Sequence, residues 1–266
     1  MFTLCKRIVI LFLIPFILGS CATTQDSSKV EEIKADFLRV GVTPNYPPII
    51  FRRNKQIVGV EADLARRLGK ELNRPVQFIE LSWDEQIPAL LSGRTDIIMS
   101  GMSMTQARRV RINFTDYYIK SGLMAMIRLE DASRFTSAES ILQTSSNIGV
   151  VAGTTSDVFV RMNFPNVLRI VPLTQAGDAP PLLKNRSIDV FVHDAPSIMW
   201  LASEYEADLL GIWEAFNEEY LAWGVRRDDR DFLTHVNSIL GKWKEDGTLN
   251  EILFKWLPSQ YLHRFM

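Results

Sequence analysis

Three polar segments carry side chains whose types and positions could bind charged groups. Gly153-Thr154-Thr155 begins a helical pattern, where backbone N–H groups and the helix dipole can hold an anion. Asp194 follows the apolar run Val190 to Val192, and an acid at the carboxyl end of a strand faces the crevice where α/β sheets bind ligands. The guanidinium of Arg108 can give two parallel hydrogen bonds to a carboxylate. Each has a structural alternative: Thr155 and Asp194 as helix N-caps, and Arg108 as a solvated surface arginine.

Short β-rich runs alternating with longer helical patterns would position these residues. The apolar stripe of residues 61–73 predicts a helix, and Ser82 and Gly93 are typical of the start and end of a second. Two further helices are predicted over 230–245 and 249–256. The predicted strands are residues 37–42, 76–79, 96–99, 147–151, 167–171 and 190–192. This alternation of strands and helices indicates an α/β fold with largely parallel sheets. The length of the chain favours two α/β units over one continuous sheet.

Composition excludes several classes of protein. The chain has 266 residues, of which 47% are hydrophobic and 23% are charged, so it can bury a sizeable core. The net charge of −1 shows no excess of basic residues, so we expect no nucleic-acid partner. Two cysteines are too few for a disulfide scaffold or a Cys₄ zinc site, and His193, His235 and His263 lack metal-ligand spacing. We therefore expect no metal and no cofactor.

The first 20 residues have the pattern of an export signal. Lys6 and Arg7 precede an apolar run from Ile8 to Leu18, which is too short to span a bilayer and fits a secretory signal. Leu18-Gly19-Ser20-Cys21 resembles the lipobox of bacterial lipoproteins, whose cysteine is lipidated after cleavage. The alternative is an ordinary signal peptide with an incidental cysteine. We predict a signal over 1–20, a lipidated tether over 21–35, and a location at the periplasmic face of a membrane, with lipid on Cys21.

Five segments in order resemble the family 3 extracellular solute-binding proteins, the polar-amino-acid receptors of ABC importers. The first keeps the family's acidic and Leu-Ala positions but has Val60 where an aromatic is usual, and the fourth has Asp116-Tyr117 in place of the common Asp-Pro. The resemblance runs from about Phe37 to Leu257. The segments are Gly59 to Ala65, Leu90 to Asp96, Ser100 to Arg109, Phe114 to Tyr118 and Lys244 to Leu249.

The resemblance implies a two-lobed, type II periplasmic-binding-protein-like fold with the ligand cleft between the lobes. We predict lobe 1 over 36–121 and 220–266 and lobe 2 over 122–219, with hinge closure on a small amino-acid-like ligand. We expect a monomer that delivers this ligand to the permease of an ABC transporter. Because an unpaired buried charge is costly, a bound amino acid needs a cation for its carboxylate and an anion for its ammonium.

The positions that match the motifs of this family imply which residues bind the ligand. The predicted carboxylate contacts are Arg108, Ser103 and Thr155, and the predicted partner of the ammonium is Asp194. Ser100 and Gly101 line the same loop, where a carbonyl near Gly101 often receives the ammonium in this family. Tyr46 and Trp83 are expected to enclose the ligand side chain, although both could simply be core aromatics. Thr43 stands where several binders of basic amino acids keep an Asp, which argues against lysine or arginine.

Two other functions fit the same resemblance. Exported cyclohexadienyl (arogenate) dehydratases share this fold and resemble the chain at Ser82-Trp83 and at Met99 to Ser103. Their catalytic Glu, three residues after the Asp, is replaced here by Ser197, and a serine is no proton donor near neutral pH. We therefore expect no enzyme activity. The second alternative is a ligand-sensing receptor, which would use the same cleft.

Overall fold

The computed structural model describes residues 36–257. The predicted signal, the tether with Cys21 and residues 258–266 lie outside this range. The described strands are β1 (Leu38–Val42), β2 (Asn45–Tyr46), β3 (Ile50–Arg53), β4 (Gln56–Val58), β5 (Val76–Glu80), β6 (Ile97–Ile98), β7 (Asn113–Phe114), β8 (Ile119–Ser121), β9 (Leu123–Arg128), β10 (Asn147–Val151), β11 (Arg169–Leu173), β12 (Val190–Asp194), β13 (Leu209–Ile212), β14 (Glu219–Leu221) and β15 (Gly224–Val225).

Helices separate most of these strands in the chain. The described α-helices are α1 (Val60–Glu71), α2 (Gln86–Leu91), α3 (Gln106–Arg109), α4 (Ala138–Leu142), α5 (Thr155–Asn163), α6 (Ala179–Lys184), α7 (Ala195–Glu204), α8 (Arg230–Glu245) and α9 (Thr248–Trp256). None of the helices in this described range is long and apolar enough to cross a membrane.

Two five-stranded sheets form the framework, with the orders β5-β1-β6-β15-β7 and β11-β10-β12-β9-β13. In each sheet four strands share one direction. The fifth strand, β15 in the first sheet and β9 in the second, runs antiparallel to its neighbours. The predicted α/β class with largely parallel sheets is therefore confirmed. The carboxyl ends of β1, β6, β10 and β12 are followed by the loops that carry the predicted site.

The chain passes between the two sheets twice. It leaves the first sheet after β7 through β8, and it returns through β14 to β15. These two crossing strands pair with each other in antiparallel register, with Glu219 opposite Ser121 and Leu221 opposite Ile119. Every strand of the second sheet lies between Leu123 and Ile212, whereas the first sheet takes strands from both sides of that stretch.

Local sequence signals explain where the helices beside the site begin and end. In α1 the side chains of Ala62, Leu64, Ala65 and Leu68 are buried, as the predicted stripe requires. Ser82 forms a capping box with Glu85, which accepts hydrogen bonds from the Ser82 N–H and hydroxyl. At the other end of α2, Gly93 has a φ of 75°, which suits a glycine past a helix end.

Candidate functional site

One cavity of about 520 Å³, including its opening, lies at the strand ends of both sheets. All eight residues that the sequence predicted as ligand contacts line it: Tyr46, Trp83, Ser100, Gly101, Ser103, Arg108, Thr155 and Asp194. The structure therefore brings together residues that are up to 148 positions apart in the chain. Eight further lining residues are Thr43, Asn45, Val151, Thr154, Thr174, Gln175, Ala176 and His193.

The loops after β1 and β6 form the first wall of the cavity. The N–H of Thr43 donates to Ser100 Oγ at 2.8 Å, which ties the two loops together. The Thr43 hydroxyl donates to the carbonyl of Leu81 at 3.0 Å and accepts from Gln86 Nε2 at 2.9 Å. Both roles of that hydroxyl are therefore taken within the protein, so Thr43 presents no free polar group comparable to an aspartate.

Gly101 allows an aromatic ring to approach the backbone in this wall. Its φ is 66°, and a Cβ at this position would lie 2.4 Å from Cε1 of Tyr46. No other amino acid fits there without displacing the ring. The N–H of Gly101 donates to Glu61 Oε2 at 2.5 Å. Glu61 on α1 is fully buried, and this burial raises its pKa to about 8.

Arg108 is held in place by its own loop. The Thr105 hydroxyl caps α3 by accepting the N–H of Arg108 at 3.2 Å. Nη1 of Arg108 donates to the carbonyl of Ser103 at 2.7 Å, and the guanidinium carbon lies 5.1 Å from the Trp83 ring centre. Burial lowers the pKa of Arg108, whereas the charges of Asp194 and Glu219 raise it. Within residues 36–257 no carboxylate forms an ion pair with Arg108.

The N-terminus of α5 forms the opposite wall. Thr154 is the N-cap and Thr155 the first helical residue, so the alternative that Thr155 is the N-cap is wrong. The Thr155 hydroxyl donates to Glu219 Oε2 at 3.0 Å. Across the cavity, Trp83 Nε1 donates to the carbonyl of Gly153 at 3.0 Å. The indole therefore bridges the two walls and is not simply a core aromatic.

Asp194 ends β12 and is buried against the first wall. Its Oδ2 accepts the Tyr46 phenol at 2.7 Å. Burial raises the pKa of Asp194 to about 6, although Tyr46 and the charge of Arg108 counteract this rise. Asp194 occupies the N-cap position of α7 but makes no side-chain capping hydrogen bond. The N-cap alternative is therefore confirmed for the position of Asp194, but its side chain makes no capping hydrogen bond.

His193 and Glu219 flank the cavity, and sequence reasoning missed both. Burial lowers the pKa of His193 to about 4, so the imidazole is neutral at physiological pH. Its Nδ1 accepts the Asp194 N–H at 2.8 Å, and its ring contacts Tyr46 edge-on with centres 5.3 Å apart. Glu219 has a raised pKa because of burial and the nearby charge of Asp194. His193 stands beside a predicted contact and could have been found by its position, but Glu219 belongs to no motif.

This arrangement defines a class of protein: two linked α/β lobes with a small-ligand cavity between them, lined by a cation from one side and an anion from the other. Within the described residues, no group of three or more His, Cys, Asp or Glu could hold a metal ion. Residues 38–259 match the model of the bacterial extracellular solute-binding proteins, family 3. The chain belongs to this family, as the sequence motifs implied.

Curated relatives of the chain are amino-acid-binding proteins of ABC transporters. It is 30% identical over 232 residues to the putative ABC transporter arginine-binding protein 2 of Escherichia coli K12, which covers 85% of this chain and 92% of that protein. It is 26% identical over 266 residues to the probable histidine-binding protein of Campylobacter jejuni, covering 94% and 98%. The family is extracellular or periplasmic.

Solved structures show the same two-lobed fold. An ancestral amino acid-binding protein, described as a precursor of cyclohexadienyl dehydratase, matches with a TM-score of 0.78 and 31% identity, covering 84% of this chain and 96% of that one. A putative ABC transporter binding component from Wolinella succinogenes, complexed with lysine, matches with a TM-score of 0.80 and 26% identity, covering 86% and 99%. The predicted fold is confirmed.

Proposed function

We propose that this chain is a lipid-anchored receptor that captures a neutral amino acid by hinge closure and delivers it to an ABC importer. One observation carries the proposal. Arg108 and Asp194 line the same buried cavity from opposite walls, and they match the carboxylate and ammonium of one α-amino acid. Each charge, left alone in a buried cleft, is costly, and a zwitterion satisfies both at once.

The carboxylate end of the amino acid lies between Arg108, Ser103 and the first turn of α5 at Thr155. The ammonium end faces Asp194, with the loop of Ser100 and Gly101 beside it. The Tyr46 phenol holds the Asp194 carboxylate in position. Trp83 covers the cavity next to Arg108. This arrangement leaves the ligand side chain toward the remaining, uncharged part of the lining.

The side-chain part of the cavity favours a neutral ligand. Among the described lining residues, Arg108 and Asp194 carry the charges, and both are assigned to the α-groups. Asn45 and Gln175 offer polar but uncharged atoms in the rest of the lining. A lysine or arginine side chain would bury a cation there without a partner. The ligand named for each relative applies to that relative. For this chain, the lining of the cavity favours a neutral amino acid.

Closure follows from the contacts that join the two walls. Tyr46 reaches Asp194, and Trp83 reaches the Gly153 carbonyl, so both hydrogen bonds need the walls to be close together. A ligand that binds to both walls adds further contacts between them, and it shifts the equilibrium toward the closed state. The paired strands β8 and β14 are the crossing segments that bend, and they support the proposed lobe limits of 36–121, 122–219 and 220–266.

Membrane attachment and delivery rest on the sequence and the family. Cys21, after Leu18-Gly19-Ser20, is the proposed lipid site, and the ABC permease is the proposed partner. Incorporation of labelled palmitate into the wild type but not into Cys21→Ser would support the anchor. Equal incorporation into both proteins would contradict it. We propose that the receptor acts as a monomer.

A thermal-shift screen of the purified protein against the twenty amino acids and several keto acids tests ligand capture. A ligand that binds the native state raises the melting temperature. We expect glutamine-like neutral amino acids to give the largest shift and arginine and lysine to give little. The absence of a shift with any compound would refute the proposal, and a dominant shift with arginine would refute the neutral pocket.

A dehydratase is the second candidate, favoured by the ancestral relative described as a dehydratase precursor. The residue in the position of the catalytic acid, Ser197, is fully buried in α7 and is not part of the cavity lining. Incubation with prephenate or arogenate tests this function, and turnover would overturn the receptor assignment. A sensory role would instead require a membrane partner that recognises the closed form.

A further inference from the structure

Glu219 touches both walls of the predicted carboxylate site from a third direction. It is the first residue of β14, one of the two crossing strands, and it is partly buried beside Arg108. The isolated bridge between Ser103 and Leu221 brings the first wall alongside this strand. The Thr155 hydroxyl approaches Glu219 from the second wall. One carboxylate on the crossing strand therefore neighbours the three residues that are predicted to hold the ligand carboxylate.

Two hydrogen bonds fix the orientation of Glu219. Asn217 Nδ2 donates to Oε1 at 3.1 Å, and the Thr155 hydroxyl donates to Oε2 at 3.0 Å. The Asn217 amide cannot be reversed, because its oxygen accepts the Leu123 N–H at 2.8 Å. The side chains of Ser103, Asn217 and Thr155 near this carboxylate counteract the rise in the pKa of Glu219.

A hydroxyl group has one proton to donate. The proton of the Thr155 hydroxyl is directed to Glu219, so this hydroxyl cannot also donate to a bound carboxylate. The backbone N–H of Thr155 stays available, because the first N–H groups of a helix have no partner within it. Arg108 supplies the other donors. The Thr155 hydroxyl thus acts on Glu219, and at α5 the ligand carboxylate is recognised by the main chain beside the guanidinium of Arg108.

We propose that Glu219 is a positioning residue: it orients the Thr155 side chain away from the ligand carboxylate and connects the second wall of that site to the crossing strand. This inference rests on the proposed amino-acid binding. It assigns to the hydroxyl of Thr155 a partner within the protein, whereas a direct ligand contact would be expected from its position alone.

The first test needs no ligand. The carboxyl carbon of Glu219, labelled with ¹³C and assigned by its absence in Glu219→Gln, is titrated by NMR in the wild type and in Thr155→Val. Loss of a donor to the ionised carboxylate must raise the pKa of Glu219. An unchanged pKa in Thr155→Val would overturn the inference. Thr234→Val removes a hydroxyl on α8 that bonds the Arg230 carbonyl, and it controls for the Thr-to-Val change.

The second test is a double-mutant cycle on affinity for the amino acid that gives the largest thermal shift with the wild type. We expect Thr155→Val to weaken binding about tenfold in the wild type but less than twofold in Glu219→Gln, where no charge depends on the hydroxyl. An equal loss in both backgrounds would show that the hydroxyl contacts the ligand. That result would overturn this inference but leave the proposed amino-acid binding standing. No binding by the wild type would instead overturn the proposed function, and this inference with it.

Discussion

The phenol of Tyr46 donates a 2.7 Å hydrogen bond to Asp194, and this bond joins the short strand after β1 to the end of β12 in the other sheet. Both residues are buried. The bond holds the proposed ammonium partner in a fixed position in the cavity lining. It also favours the ionised carboxylate, which burial disfavours.

Amino-acid affinity should fall as the pH decreases through about 6. Burial raises the pKa of Asp194 to about 6, so the carboxylate is ionised above this pH and protonated below it. Only the ionised form pairs with an ammonium, and we expect roughly a tenfold loss of affinity per pH unit below 6. Calorimetry between pH 5 and 8 measures the profile.

Two variants isolate this effect. Asp194→Asn should bind weakly at every pH, with no inflection near 6. His193 does not titrate in this range, because burial lowers its pKa to about 4. The pKa of Glu219 is also raised, so the profile is repeated in Glu219→Gln, where the inflection should persist. A flat wild-type profile would remove Asp194 from the role of ammonium partner.

Arg108→Ala should weaken amino-acid binding by about 2–5 kcal/mol, because it leaves the ligand carboxylate buried without its cation. Arg109 is the matched control: it is the next residue on the same short helix, is exposed, and contacts the sulfur of Met104. Calorimetry should find Arg109→Ala close to the wild type. Equal affinities of the Arg108 and Arg109 variants would exclude Arg108 from the site.

Gly101→Ala should abolish binding and lower the free energy of unfolding by about 1–3 kcal/mol. The added methyl would meet the Tyr46 ring at 2.4 Å, at a backbone φ of 66°. Gly241→Ala in α8 has open space around the new methyl and should stabilise the protein by about 0.5–1 kcal/mol. Chemical denaturation compares the two, and an unaffected Gly101→Ala protein would contradict this account of the loop.

Glu61→Gln should become more stable relative to the wild type as the pH rises from about 4.5 to 8. Burial raises the pKa of Glu61 to about 8 from an ordinary value of 4.5, so the native state keeps a proton that the unfolded chain releases. The free energy of unfolding of the wild type therefore falls with pH in this window, by about 1.4 kcal/mol per unit. Denaturation at several pH values measures the difference.

The exposed Glu245, at the end of α8, provides the control for this titration. Glu245→Gln makes the same side-chain change at an exposed position and is measured in the same denaturation series. If the stability difference between Glu61→Gln and the wild type did not change with pH, Glu61 would have to be ionised in the native state.

The sequence predicted elements well where a local pattern was strong. The helix over 230–245 has the predicted limits, because its apolar spacing and the Asp246-Gly247 end are both local signals. The strand predicted over 167–171 lies two residues later, at Arg169–Leu173. It contains Pro172, which is tolerated because β11 is at the edge of its sheet. The two-residue strands β7 and β15 have no pattern long enough to detect.

The same distinction applies to the site. Arg108 and Asp194 stand in motifs or at strand ends, so their meeting in one cavity could be expected. The bond of Trp83 to the Gly153 carbonyl and the position of Glu219 depend on how the two walls approach each other. No local pattern carries that information, because the partners are about 64 to 70 residues apart.

The late position of β15 in the chain has a consequence for how the protein matures. β15 lies between β6 and β7, so the edges of these two strands that face β15 stay unpaired until residues 224 and 225 arrive. The second sheet, by contrast, is complete once Ile212 is available. During synthesis or export from the N-terminus, the first sheet, which contains β1, can therefore be completed only after the second sheet. A chaperone or translocase acting on the nascent chain would meet an unfilled gap in the first sheet beside an already finished neighbour.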